Sequence, residues 1–466
     1  MPECPKLIQK RFACESPVPD SPPRLFGTDG VRGTAGRYPL DPTTIRRLGA
    51  ALVRALPHRA ATPQLLIGRD TRESGEWIER ELARGATGEG AVVTSVGVVP
   101  TPAIAYLTRS SDYDAGVVIS ASHNPFEDNG IKVFSGTGEK FTERVERHVE
   151  SLVADQTWQN HDAPPNEIAR ADLIDRYLDH LGAVWPAATG AGRTKLAIDC
   201  ANGAMSGIAP HLFHTLGFDT VVINHEPNGR NINLDCGSTS PERLAETVLQ
   251  TKAHLGVAFD GDGDRAIFVD GMGRIVGGDA VLLMCGRQLH TEGRLRGNAI
   301  VATVMSNIGL ELALNALGIG LVRCAVGDRY VMEEMQSRGL SLGGEQSGHI
   351  IFADYLYTGD GLCTALNVLR TISLSGRTLA ALASDLITYP QVLLNVRVRE
   401  KVDVTTVPAV ASAIAEVEAR VAGNGRLLVR YSGTEPLLRV MLEGQDEREI
   451  RVWAQEIADV VKAELG

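Results

Sequence analysis

The 466 residues predict an α/β protein: three similar units, each a β-α-β-α-β run with its sheet between helices, then a smaller C-terminal α+β domain, arranged around a central cleft. Two observations carry this. The order strand, helix, strand, helix, strand recurs three times, which implies parallel strands joined by helical crossovers. In each copy the third strand runs into the most polar loop of that copy, and ligands of open α/β sheets bind at the carboxyl ends of strands.

The first copy opens with a strand at 65–68, where Leu-Leu-Ile-Gly gives way to Arg69, Asp70 and Thr71. Ser74 stands near the start of a helix whose Trp77, Ile78 and Leu82 share a face. A strand at 92–96, a helix at 102–107 and a strand at 115–119 follow, and the last delivers Ser120-Ala-Ser-His-Asn-Pro125. The second copy has a strand at 195–199, a helix at 208–216 stopped by Gly217, a strand at 219–223 and a helix at 241–251. Its last strand, 255–259, runs into Asp260-Gly-Asp-Gly-Asp-Arg265. The third has a strand at 299–303, a helix at 308–317 and a strand at 321–325. The turn Gly327-Asp-Arg329 then leads to a helix at 330–337 and a strand at 340–342, which ends in Gly343-Gly-Glu-Gln-Ser-Gly-His349. From about 388 the texture changes: 392–398 alternates like a half-exposed antiparallel strand. A helix at 410–421, strands at 426–431 and 438–443 and a helix at 450–465 complete the chain. The implied division is a disordered extension at 1–24, then domains at 25–178, 179–277, 278–387 and 388–466.

Bulk properties narrow the function. Hydrophobic residues make up 44% and charged residues 22%, as in ordinary globular proteins. A net charge of -11 argues against nucleic acid or an anionic membrane as partner, while a local basic pocket still suits a small anionic substrate. The seven cysteines are dispersed and include no C-x-x-C pair, which predicts reduced thiols in a cytoplasmic protein rather than disulfides or a zinc site. No apolar run approaches the roughly 20 residues of a membrane helix. The segment 1–24 carries Lys6, Lys10 and Arg11 without the apolar core of a secretory signal.

The loops carry the chemistry. Asp260, Asp262 and Asp264 alternate with glycines, so all three carboxylates can turn toward one point, where a divalent cation would relieve their repulsion. An EF-hand is excluded, because Arg265 and Gly271 stand where it needs Gly and Glu. A phosphatase with an aspartyl nucleophile and a Mg²⁺ site facing a phosphate both remain open. Gly343 to His349 offers the hydroxyl, carboxylate and amide groups that grip sugar hydroxyls. Arg430-Tyr-Ser-Gly-Thr-Glu-Pro436, with Arg439, fits a phosphate cradle, and no G-K-[ST] supports a nucleotide P-loop. Phe26-Gly-Thr-Asp-Gly-Val-Arg-Gly33, taken alone, reads as a surface turn. Ser122 and His123 are neighbours that extended backbone would point apart, so a direct Ser-His dyad is not expected. A serine that stores a phosphoryl group beside a metal is the better reading.

Together these loops resemble the α-D-phosphohexomutase superfamily, most closely its phosphoglucosamine mutases, over 25–466 and in the family's order. The resemblance implies Ser122 as phosphoserine, and Mg²⁺ held by Asp260, Asp262 and Asp264 together with that phosphate. It implies Arg32 and Lys132 as acid/base candidates, with His123 supporting; Lys132 would need its pKa lowered by burial or by Arg32. Substrate contacts would fall on Arg265, Asp328, Arg329, Glu345, Ser347 and His349, and on Arg430, Ser432, Gly433, Thr434 and Arg439 for the non-reacting phosphate. Gln346 stands where related phosphomannomutase/phosphoglucomutase enzymes usually carry Met.

The implied reaction interconverts glucosamine 6-phosphate and glucosamine 1-phosphate, feeding UDP-N-acetylglucosamine and cell-wall synthesis. It runs through a bound 1,6-bisphosphate, with that compound or another hexose 1,6-bisphosphate as activator. The last domain, on a linker near Tyr389, is expected to close over the sugar phosphate and exclude water. A homodimer stays open. The alternatives are a phosphomannomutase/phosphoglucomutase or, from another class, a non-catalytic metal- and sugar-phosphate-binding protein.

Overall fold

The computed structural model describes residues 24–57, 62–159, 168–185, 194–423, 425–432 and 435–466. The proposed extension therefore lies outside the described residues except for Arg24, and Gly433 and Thr434 of the proposed cradle lie outside them as well.

Three sheets repeat one plan. In the first, Gln64–Arg69 lies between Val92–Val98 and Ala115–Ile119, all parallel. In the second, Lys195–Asp199 lies between Asp219–Ile223 and Leu255–Phe259. In the third, Ala299–Thr303 lies between Gly320–Cys324 and Leu342–Gly344. Each plan then adds a strand that the sequence reading did not assign. Asp128–Ser135, Ala266–Asp270 and Ile350–Phe352 return antiparallel beside the third strand of their own copy. The polar loops are thus the turns of three hairpins at equivalent sheet positions. Ala115–Ile119, Leu255–Phe259 and Ala266–Asp270 are buried along their whole length, so they read as continuous apolar runs rather than alternating ones.

The first sheet is extended by a hairpin of Phe26–Gly27 and Gly30–Thr34 that pairs with Asp128–Ser135. The expected surface turn is therefore a correction: Phe26 and Val31 are buried in the core, and the hairpin carries Asp29 and Arg32 toward the acidic loop. Gly30, at φ +84°, lies so close to the strand opposite that a Cβ would sit 2.4 Å from the carbonyl oxygen of Ile131.

The first three domains share a continuous apolar core. Ile104, Val118, Phe213, Phe259, Leu283, Leu342 and Leu366 all belong to it, and the helices Gly278–Thr291 and Gly361–Ser375 bury most of their residues. The last domain has its own core, in which Leu437–Glu443 runs between Gln391–Arg397 and Arg426–Tyr431 under the helices Pro408–Val421 and Glu447–Leu465. Along Gln391–Arg397 burial alternates, as the sequence pattern predicts.

Candidate active site

Ser122 leaves the strand Ala115–Ile119 on a backbone that no ladder continues. Its φ of +54° is left-handed, a conformation that costs an L-residue on the order of 1–2 kcal/mol and persists only where surroundings enforce it. The side chain is 1% exposed, and its Oγ donates to Asp260 Oδ2 at 2.5 Å. The same twist overturns one expectation. Because Ser122 is not extended, His123 does not point away, and its Nδ1 lies 3.3 Å from Ser122 Oγ. The pair is still a weak dyad. Burial, with Arg265 and Arg32 nearby, pulls the His123 pKa down to about 4.

Asp260, Asp262 and Asp264 converge as the glycine spacing predicts. All three are buried, with ligand oxygens within 4.8 Å of one another. Burial and the charges of Asp264 and Asp262 push the Asp260 carboxyl well above the ordinary range. Burial acts the same way on Asp264, but Lys132 and His349 outweigh it and hold that carboxyl well below. Among the described residues Asp262 Oδ1 and Asp264 Oδ1 are buried without a hydrogen-bond partner, the latter with His349 Nδ1 at 3.6 Å. Hard oxygen donors, surplus negative charge and unpartnered oxygens together fit a divalent cation, so the loop can hold a metal ion.

Neighbouring elements staple this loop. Thr101, opening the helix Thr101–Ser110, bonds Asp262 through both its N–H (2.9 Å) and its hydroxyl (2.5 Å). Gly361 N–H reaches the Gly263 carbonyl at 3.0 Å, and Ala204 N–H the Gly261 carbonyl at 2.8 Å.

Lys132 reaches the triad from the return strand. Its ammonium is 2.8 Å from Asp262, 3.2 Å from Asp264 and 3.0 Å from Asp29. The expectation of a lowered pKa is corrected here. Burial lowers it, but Asp262, Asp264 and Asp29 prevail and hold it well above its ordinary value. The sequence reading also missed Asp29 and Lys140. Asp29 accepts from Arg32 and Lys140, and Lys140 spans from Asp29 to Asp328, joining the first domain to the third.

An open pocket of about 560 Å³ faces this cluster, with Asp264, Arg265, Asp328, Glu345 and His349 among its walls. Glu345 Oε1 accepts from Gly327 N–H at 3.1 Å, and its Oε2 accepts from Ser347 at 3.3 Å. His349 accepts at Nε2 from Gly359 N–H (3.1 Å), which leaves Nδ1 as the N–H facing Asp264 at 3.6 Å. Among the described residues the buried Nε atoms of Arg32 and Arg265 have no hydrogen-bond partner, though Arg265 Nε lies 3.9 Å from Asp264 Oδ1. Arg329 is not brought into the pocket: its guanidinium turns to Glu146 on the helix Glu143–Ala154.

The last domain holds a second basic cluster. Arg430 and Arg439 stand directly opposite each other on adjacent strands, and burial together with Arg439 lowers the Arg430 pKa. Like charges opposed across a ladder are destabilising without an anion between them. Arg439 reaches Ser432 Oγ at 3.4 Å, and Lys401, absent from the sequence reading, reaches the Ser432 carbonyl at 2.7 Å.

Comparison with known proteins bears on this geometry. Four models of the phosphoglucomutase/phosphomannomutase family match: alpha/beta/alpha domain I at 23–160, domain II at 175–273, domain III at 277–389 and the C-terminal domain at 393–460. The phosphoglucosamine mutase of Solibacter usitatus is 50% identical over 447 residues, which is 95% of this chain and 99% of the relative. That of Geotalea daltonii is 46% identical over 95% of this chain and 98% of its own length. The chain belongs to the phosphoglucosamine mutase family. This family member is accordingly an isomerase of the phosphohexomutase type. Solved structures agree on the fold: a phosphoglucomutase/phosphomannomutase family protein from Burkholderia thailandensis superposes with a TM-score of 0.77 at 24% identity, covering 94% of this chain and 97% of its own. N-acetylphosphoglucosamine mutase of Aspergillus fumigatus, solved with GlcNAc-6P and magnesium, gives 0.65 at 18% identity, covering 94% of this chain and 96% of its own. Among the described residues no helix is long and apolar enough to cross a membrane.

Proposed function

We propose that this phosphohexomutase interconverts glucosamine 6-phosphate and glucosamine 1-phosphate, with Ser122 as the phosphoryl carrier. One observation carries the reading. A buried serine hydroxyl lies 2.5 Å from a carboxylate of a buried acidic triad that also touches a buried lysine. A serine hydrolase would need a competent base beside Ser122, and burial with Arg265 and Arg32 nearby lowers the His123 pKa to about 4. A phosphatase with an aspartyl nucleophile would instead carry its phosphate on an aspartate.

Phosphoserine 122 transfers its phosphoryl group to the free sugar hydroxyl, giving a bound 1,6-bisphosphate. The intermediate turns around, and the other phosphate returns to Ser122. Asp260, Asp262 and Asp264 would hold Mg²⁺, which neutralises charge on the transferring group. Lys132, held as an ammonium by two of these carboxylates, adds positive charge beside the transferring group and gives a proton to Ser122 Oγ as its bond to phosphorus breaks; the proton lost by the attacking sugar hydroxyl restores the ammonium. Arg32 and Arg265, whose Nε–H groups have no hydrogen-bond partner among the described residues, can turn them to a phosphate. Glu345 and Ser347 grip sugar hydroxyls. Arg430, Ser432, Arg439 and, by sequence, Gly433 and Thr434 take the non-reacting phosphate once the last domain closes. A hexose 1,6-bisphosphate serves as activator by loading Ser122. One sheet falls in each of the proposed ranges 25–178, 179–277, 278–387 and 388–466, but the helix Ile174–Gly182 runs across the first boundary, which therefore belongs before that helix. Free cysteines at 200, 236, 285, 324 and 363 support a reducing, cytoplasmic compartment.

Rates with glucosamine, glucose and mannose phosphates test the sugar assignment. Glucosamine phosphate is expected to have the highest kcat/KM by at least about tenfold. A preference for mannose or glucose phosphate would move the chain to the phosphomannomutase/phosphoglucomutase reading.

A further inference from the structure

The left-handed backbone at Ser122 needs an agent that enforces it. Arg72 supplies one. Its side chain is fully buried and spends four N–H bonds on the site: Nε on Asp70 (2.9 Å), Nη1 on the Pro125 carbonyl, and Nη2 on the carbonyls of Ser122 and Asn124 (2.9 Å each). Asp70 closes the loop from below, accepting from Arg72 N–H (2.9 Å) and from Ser120 Oγ (2.5 Å). Ser120 Oγ in turn accepts from Ser122 N–H at 2.9 Å. The backbone on both sides of Ser122 is therefore tied to one guanidinium-carboxylate pair.

The second agent comes from the metal-loop domain. Asn233 Nδ2 donates to the same two carbonyls, Ser122 (2.9 Å) and Asn124 (3.1 Å). Its position is itself set by a backbone bond from Asn233 N–H to Ala201 (2.9 Å). Gly261, between Asp260 and Asp262, packs against this junction. A Cβ there would lie 2.6 Å from the Ser122 carbonyl oxygen and 2.9 Å from Asn233 Nδ2.

We propose that Arg72 and Asn233 are positioning residues for phosphoryl transfer. Together they clamp the carbonyls of the serine loop, Arg72 setting the strained turn and Asn233 registering it against the acidic loop of the neighbouring domain. Neither touches the reacting atoms. They act through Ser122, whose Oγ and the phosphorus it carries must lie in line with the incoming hydroxyl, and a misplacement of about 1 Å can cost about 100-fold in rate. The proposal rests on Ser122 being the phosphoryl carrier.

The test is single-turnover transfer from the full chain, loaded with phosphate by glucose 1,6-bisphosphate, to glucosamine 6-phosphate, with Ser122 occupancy followed by mass spectrometry. Asn233→Ala is expected to keep the wild-type melting temperature and a KM within about threefold, while the transfer rate falls about 10- to 100-fold. Asn233→Gln, which can restore the donor, should recover part of that loss. Arg72→Lys, which replaces the planar fork with a single ammonium, should lose at least as much rate. Should it fail to fold, Asn233→Ala decides alone. Wild-type transfer rates in folded Asn233→Ala, with Ser122 phosphorylated, would overturn the proposal and leave the mutase reading standing. A wild-type chain that never carries phosphate on Ser122 would sink both.

Discussion

At Ser122 one dihedral angle decides how the residue is read. On extended backbone its neighbour His123 would face away, and the left-handed turn instead leaves the two 3.3 Å apart while Oγ turns to Asp260. The residue types in the three loops were legible from sequence, because alternating Asp and Gly can converge in few ways and a serine after a buried strand sits at the carboxyl end of the sheet, where ligands bind. The groups that shape them were not. Asp29, Arg72, Lys140 and Asn233 act on backbone or partners at least 50 positions away, and no local spacing encodes that. The sign of the Lys132 shift was hidden for the same reason, since three carboxylates from two distant segments outweigh its burial. Two outcomes follow. Mg²⁺ at about 100 times its Kd should stabilise the chain by about 2.7 kcal/mol, read as a rise in melting temperature that chelation reverses and Asp262→Asn abolishes. Lys132→Gln should lower kcat by about 10²- to 10⁴-fold, measured with phosphate-loaded enzyme.

Among the elements, the three antiparallel return strands are what the repeat pattern did not reveal. Ala266–Asp270 follows its loop after one residue, so its apolar run merges with the flanks of the acidic turn instead of standing as a separate signal. The helices Gly278–Thr291 and Gly361–Ser375 were likewise unassigned: they are buried nearly all round and have no polar stripe to mark a period. Asp360 caps the second of these, accepting from Cys363 N–H at 2.9 Å and from the Tyr177 hydroxyl at 2.9 Å. Burial pushes its pKa up to about 6. A carboxyl raised on folding stabilises fully below its unfolded pKa of about 3.9, and that contribution is lost as pH rises through about 6, a swing of about 3 kcal/mol. Melting temperature should therefore fall between pH 4 and pH 6 by an amount that Asp360→Asn, which keeps the cap acceptor, removes.

The whole molecule puts the serine, metal and sugar loops on one continuous core and the phosphate cradle on another, joined through a small buried pivot. There Glu443 of the last domain accepts from Ile308 N–H (3.1 Å) and from Arg426, while Asn307 exchanges two 2.9 Å bonds with Tyr389. Among the described residues Arg430, Ser432 and Arg439 bond outside the acidic cluster, so the proposed phosphate cradle reaches the substrate only if the last domain closes. Arg439→Ala should raise KM about 10- to 100-fold with metal binding unchanged, as measured by steady-state kinetics and Mg²⁺ titration. In the proposed mutase cycle one phosphoryl group shuttles through Ser122. Peptide mass spectrometry before and after a chase with glucosamine 6-phosphate tests it most directly. Phosphate should be found on Ser122, leave in the chase and return under excess bisphosphate, and Ser122→Ala should fold yet turn nothing over. Phosphate on an aspartate, or mutase turnover by Ser122→Ala, would contradict it.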